Sequence, residues 1–260
     1  MKLFYCGDIV GRSGRDAVMQ NINRIKSEYK PDVLLLNVEN AAHGFGVTAP
    51  ICQGFLDAGA DILVTGNHFL NQQDIAPFLD KCKVIVRPAN IPSFNPGHGY
   101  ITYELPDGRQ ILVIQLLGRL FMEAVDCPVQ TVDNILKNYN LERNIDTIFV
   151  DIHAEATSEK LSLGYYLDGK VSCVVGTHTH VPTADARILP QGTAYITDVG
   201  MCGDYDSVLG FEKDVPIKRL RRSFMNERLT PASGAGTIYA VFIETDDKTG
   251  LAKQIRQIKI

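Results

Sequence analysis

Five short apolar runs in this chain each lead, within three residues, into Asp, Glu, Asn or His. L-F-Y-C-G precedes Asp8, L-L-L-N-V precedes Glu39 and Asn40, and L-V-T-G precedes Asn67 and His68. I-F-V-D-I leads into His153, and V-V-G-T into His178 and His180. Carboxylate, amide and imidazole donors suit manganese, iron, zinc or magnesium, whereas a thiolate site needs cysteine, and none of the cysteines is in the set. Eight donors are too many for one tetrahedral ion. They suit two ions sharing a bridging carboxylate, the arrangement that clamps both oxygens of a phosphoryl displacement. In G-T-H-T-H the two histidines are separated by one residue. On extended backbone such residues face the same side, so His178 and His180 are expected to converge.

If the runs are neighbouring parallel strands, the donors are expected to meet at one sheet edge, because open α/β sheets bind ligands beyond the carboxyl ends of their strands. The pattern predicts strands over 2–6, 33–37, 62–65, 83–86, 111–115, 147–151 and 171–175, with helices over 15–29, 49–58, 72–81 and 132–139. The last third changes character: strands over 186–189, 193–197, 237–245 and 251–260 are joined by turns, with D-D-K-T-G closing a hairpin. This is an α/β chain, read as one domain over 1–260 whose second half is more antiparallel.

With 260 residues, 45% of them hydrophobic and 22% charged, the chain can bury a core and is no disordered tail. Its net charge is −4 and its one basic run is K-R-L-R-R at 218–222, so no stable nucleic-acid complex is expected. Cys6, Cys52, Cys82, Cys127, Cys173 and Cys202 are scattered without a C-x-x-C pair, as expected of reduced thiols in a cytoplasmic protein. The opening apolar run is too short for a signal segment, and no stretch reaches the roughly 18 apolar residues of a membrane span. A soluble, cytoplasmic protein is expected, with a homo-oligomer left open.

G-D-I-V-G, N-V-E-N-A, G-N-H and G-T-H-T-H, in this order, resemble the calcineurin-like metallophosphoesterase superfamily. D-I-H-A-E-A-T-S-E-K, R-P-A-N, G-T-H-T-H-V-P-T-A-D-A-R-I-L-P and T-D-V-G-M resemble, more narrowly, the bacterial YmdB-like 2′,3′-cyclic-nucleotide phosphodiesterases. The resemblance covers the whole chain. It implies a four-layer α/β/β/α sandwich with mixed sheets and a dinuclear centre of iron, or alternatively manganese, with zinc and magnesium compatible. It puts Asp8, Glu39, Asn40 and His180 on one ion and Asn67, His153 and His178 on the other, with Glu39 bridging. His68 takes the proton-donor place. The implied activity is hydrolysis of small cyclic nucleotides, 2′,3′-cyclic esters preferred, by in-line attack of a metal-bridging hydroxide. The chain departs from the wider superfamily at Val10, where a ligand histidine is usual, at Glu39 in place of aspartate, and at Phe69 in place of the acid that orients the proton donor.

Other residues have plainer readings. His43 and His98 sit in glycine-rich loops and are left out of the site. Glu155 and Glu159 are either helix-cap acids or part of a substrate loop, and Arg87 is either a phosphate contact or one half of a salt bridge. K-R-L-R-R reads as a solvated helix face. Substrate-binding residues stay unassigned. Two rivals are a nucleotide-binding module built on Gly7, Gly11 and Gly14, and a metal-dependent regulator or scaffold with little turnover. The first lacks the G-x-G-x-x-G spacing and leaves three histidines idle.

Overall fold

The computed structural model describes residues 1–141, 143–221 and 226–260; Arg222, the last residue of K-R-L-R-R, lies outside them. The chain opens with β1 (Lys2–Cys6), β2 (Asp8–Ile9), α1 (Gly11–Tyr29), β3 (Val33–Asn37), α2 (Ala49–Asp57) and β4 (Ile62–Val64). A 3-10 turn (Gln73–Ile75) enters α3 (Ala76–Lys81), followed by β5 (Ile85–Val86), β6 (Tyr100–Glu104), β7 (Gln110–Leu117) and α4 (Pro128–Leu136). Then come β8 (Thr147–His153), α5 (Thr157–Tyr166), β9 (Cys173–Thr177), β10 (Arg187–Ile188), β11 (Ala194–Ile196) and β12 (Met201–Asp204). The chain closes with α6 (Asp214–Arg221), β13 (Gly236–Thr245) and β14 (Ala252–Lys259).

These strands form two mixed sheets. The larger has the order β2-β12-β13-β1-β3-β4-β5, with β14 paired to β13. In it β1, β3, β4 and β5 run parallel, and β13 is antiparallel to β1. The smaller has the order β10-β11-β9-β8-β7-β6, parallel from β7 through β11 with antiparallel strands at both edges.

The near-continuous apolar runs follow from burial on both faces of each strand. In β1, Leu3 and Tyr5 join one core cluster while Phe4 and Cys6 join another; Leu35 and Leu36 of β3 divide in the same way. The cluster holding Leu3, Tyr5 and Leu35 also holds Ile111, Val113, Phe149 and Val175, so the two sheets pack face to face. Val18 and Ile22 of α1 and Phe55 of α2 cover the outer face of the larger sheet. Val132 of α4 and Leu163 of α5 cover that of the smaller one.

The hairpin at 246–250 and the long strands lie where the periodicity puts them. Five elements lie outside the expected ranges: β2, β6, β12, α5 and α6, the last carrying the K-R-L-R stretch that reads as a helix face. The two-residue β2 is too short for a period to show. α1 starts at Gly11 instead of residue 15, so Gly11 and Gly14 belong to the helix's first turn while Gly7 stays between β1 and β2. A Cβ on Gly14 would collide with the Cys202 carbonyl, so this glycine lets α1 lie directly on β12.

Candidate active site

All eight donors lie at or just beyond the carboxyl ends of parallel strands, but those strands belong to both sheets. Asp8 follows β1, Glu39 and Asn40 follow β3, and Asn67 and His68 follow β4 in the larger sheet; His153 ends β8 and His178 and His180 follow β9 in the smaller. The donors meet where the two sheets face each other, not along one edge. The H-T-H histidines also do not lie on extended backbone. β9 stops at Thr177, and His178 and His180 have φ of 95° and 64°, the left-handed region that side chains avoid. The two histidines reach the same cavity from a strained turn and point to different partners.

Three imidazoles have their protons directed away from the cluster. The Thr177 hydroxyl gives its proton to Asp151 Oδ1 (2.8 Å), so His153 Nδ1 must donate to Thr177 Oγ1 (2.9 Å). Asp151 Oδ2 in turn accepts from the Tyr5 hydroxyl and Gln115 Nε2, both at 3.0 Å. His180 Nδ1 donates to the Leu209 carbonyl (2.9 Å), and His178 Nε2 faces Glu155 Oε2 at 3.5 Å. This leaves His153 Nε2, His178 Nδ1 and His180 Nε2 bare, each with a lone pair aimed inward.

What these lone pairs meet is more acceptors. His153 Nε2 lies 3.1 Å from His178 Nδ1, 3.1 Å from Asn67 Oδ1 and 3.4 Å from Glu39 Oε1. His180 Nε2 lies 3.1 Å from Asn40 Oδ1, whose orientation is set because Asn40 Nδ2 donates to the Gly44 carbonyl (2.9 Å). Asp8 Oδ2 accepts from the His178 amide (3.1 Å) and Glu39 Oε1 from the His68 amide (3.0 Å). Asp8 Oδ1 and Glu39 Oε2 are buried with no partner. Among the described residues no three His, Cys, Asp or Glu side chains close on one point by themselves; in each corner an asparagine oxygen stands among the donors.

Protonation of the imidazoles does not resolve these contacts. Burial pushes His153 well below the usual imidazole range, lowers His180, and takes His178 down to about 2, so all three are neutral. Burial also pushes Asp8 up, with the nearby Asp198 carboxylate adding to the effect, and raises Glu39 to about 7. The cluster lacks positive charge, and an unpartnered buried carboxylate costs several kcal/mol in such surroundings. Acceptors facing acceptors, neutral imidazoles and orphaned carboxylate oxygens fit cations bound by nitrogen and oxygen. Gly66 makes room here, since a Cβ on it would collide with the Glu39 carboxylate.

His68 has a partner the sequence did not disclose. Its Nδ1 pairs with the Asn71 side-chain amide at 3.1 Å, which anchors the ring through that nitrogen. Phe45 meets the ring edge-on at 5.1 Å and stacks on Phe211 at 5.3 Å. A cavity of about 350 Å³ opens here, lined by Glu39, Asn40, His68, His178 and His180 on one side. Phe45, Phe211, Val208, Leu209, Pro216 and Leu229 form the other side, with Glu155 and Arg219 also lining it.

His43 and His98 do not line this cavity. Glu155 faces His178, whereas Glu159 accepts from the amides of Arg119 and Leu120. Arg87 is buried away from this cavity and donates to the carbonyls of Pro88, Asn95 and Pro96, and among the described residues it forms no salt bridge. The sequence reading missed Asp151, Thr177, Asn71 and the apolar wall. Asp151 was visible as a charged residue inside an apolar run; the others carry no local signal.

Fold and site together define a mixed α/β protein with a cluster of nitrogen and oxygen donors at converging strand ends. The chain belongs to the YmdB-like protein family, whose model matches residues 4–258. It is 46% identical over 260 residues to a Bacillus subtilis (strain 168) protein named 2′,3′-cyclic-nucleotide 2′-phosphodiesterase, covering 100% of this chain and 97% of that one. A crystal structure of a hypothetical protein from Thermus thermophilus matches with a TM-score of 0.92 at 35% identity, covering 100% and 99% of the two chains. That of a Mycoplasma pneumoniae protein described as a novel phosphatase matches with a TM-score of 0.92 at 33% identity, covering 100% and 93%.

Proposed function

We propose that this chain is a phosphodiesterase that opens cyclic nucleotides, 2′,3′-cyclic esters preferred, using two metal ions, iron first and manganese as the alternative. One observation carries the reading: bare imidazole nitrogens and orphaned carboxylate oxygens face one another at and just behind one wall of a cavity whose opposite wall is apolar. The activity in the Bacillus subtilis relative's name supports the choice of substrate. In this reading Asp8, Glu39, Asn40 and His180 hold one ion, Asn67, His153 and His178 the other, and Glu39 serves both. The three core clusters are read as the seams of a four-layer α/β/β/α sandwich.

When bound, the ions supply Lewis acidity that acidifies water and neutralises phosphoryl oxygens. The chain's own residues do the rest. Water, one proton lost to solvent, adds to phosphorus as hydroxide while the bond to one ribose oxygen breaks. His68 enters the step as imidazolium, gives its Nε2 proton to that departing oxygen and is left as neutral imidazole. The Asn71 side-chain amide anchors Nδ1 so that Nε2 is the nitrogen that gives the proton, and Phe45 holds the ring in place. The base rests against Phe45, Leu209 and Leu229, which exclude water from one side of the ester.

The test is hydrolysis of 2′,3′-cyclic AMP by wild type and His178→Ala, with Mn²⁺ supplied and bound metal counted. Turnover by wild type, with metal and activity lost together in the variant, is expected. Two bound ions without turnover would remove the substrate assignment, and no bound metal would remove the mechanism.

A further inference from the structure

Three fragments that this chemistry leaves unused meet beneath the G-T-H-T-H turn: Lys160 of T-S-E-K, Asp198 of T-D-V-G-M, and Thr179 between the two histidines. Lys160 and Asp198 are both 0% exposed. The Lys160 ammonium on α5 donates to Asp198 Oδ2 at 2.8 Å. The same oxygen accepts from the Thr179 amide (3.1 Å) and the Thr179 hydroxyl (2.7 Å), while Oδ1 accepts from the Gly200 amide (2.8 Å). Gly176, in β9 just before the turn, lies close over the lysine stem; a Cβ there would come within 2.8 Å of Lys160 Cδ.

A buried ion pair is a poor route to stability, because desolvation offsets most of the attraction. This one, however, is fastened to the single residue between two histidines in left-handed backbone. Such backbone persists only where its surroundings over-determine it. Thr179 supplies that constraint: its two bonds to Asp198 fix the middle of the turn, and Lys160 holds Asp198 in place.

We propose that Lys160 and Asp198 are positioning residues that lock the H-T-H turn so that His178 and His180 face the donor cluster before any ion arrives. The inference rests on the metal reading above. It differs from a role in folding alone, since a merely structural pair would lower the melting temperature and leave the metal affinity of the folded molecules unchanged.

Equilibrium dialysis of Mn²⁺ against the full chain, with circular dichroism of the metal-free proteins, tests this in Lys160→Met and Thr179→Val. Thr179→Val keeps the ion pair and removes one of its bonds to the turn. Lys160→Met is expected to weaken Mn²⁺ binding about 10- to 100-fold, as loss of a group that orients ligands does. Thr179→Val is expected to weaken it about 3- to 10-fold with the metal-free melting curve close to wild type. Wild-type affinity in both folded variants overturns the proposal, and if Lys160→Met does not fold, wild-type affinity in Thr179→Val alone overturns it. A wild type that binds no Mn²⁺ would instead remove the metal reading, and this inference with it.

Discussion

On one wall of the cavity the donors ride on strand ends, and a further buried group orients several of them. His153 leans on Thr177 and Asp151, Asn40 on the Gly44 carbonyl, and Glu39 on the His68 amide. On the other wall α6 has no buried residue and Leu209 stands 47% exposed. The difference separates two tasks. Under the proposed function, groups that would bind ions must keep their geometry to a fraction of an ångström, which their place at the sheet ends provides. A wall that only receives a base and sheds a product can be attached loosely.

If this division is right, damage to the two walls should differ in kind. The largest effect is expected from His68→Ala, which should lower kcat on 2′,3′-cyclic AMP by about 10²–10⁴. The loss should be far smaller on a nitrophenyl ester, whose leaving group needs no proton. Equal losses on both substrates would take the proton-donor role from His68.

Asp151→Asn comes next. Tyr5 and Gln115 both donate to this side chain, so the new amide oxygen stays with them and its NH₂ falls to Thr177. The hydroxyl then turns its proton to His153 Nδ1 and forces the ring proton onto Nε2, the atom aimed at the cluster. Metal affinity should drop about 10- to 100-fold, measured by dialysis. On the opposite wall, Leu229→Ala should raise KM about tenfold with kcat and metal content unchanged, the cost of losing part of one apolar contact. A drop in bound metal in that variant would erase the distinction between the walls.

The smallest effect is on stability. In the metal-free chain Glu39 is raised from its ordinary 4.5 to about 7, so between those values the folded state binds more protons than the unfolded one. Stability contributed by that proton is present at low pH and is lost as pH rises through this window. The gap between the melting temperatures of metal-loaded and metal-free protein should therefore widen by several degrees from about pH 5 to about pH 8. A constant gap would mean that Glu39 does not meet the ions.

Much of this was legible in the sequence, for identifiable reasons. Strands such as β1 and β3 are short apolar runs bounded by turn residues, and a donor after each run is visible without knowing the fold. What the sequence hid was relational. The assignment of strands to two sheets is a matter of pairing between distant segments, so the donors were expected on one edge. The left-handed turn at His178 and His180 depends on Thr179 and Asp198, which lie 19 residues apart in sequence. Phe45 and Phe211 stack although 166 positions separate them, and neither carries a local mark of its role.

The most direct measurement is anomalous diffraction from crystals grown with Mn²⁺. Two peaks are expected, one among Asn67, His153 and His178 and the other among Asp8, Asn40 and His180, with Glu39 touching both. A single peak elsewhere, or none while the crystals hold the same fold, would contradict the account.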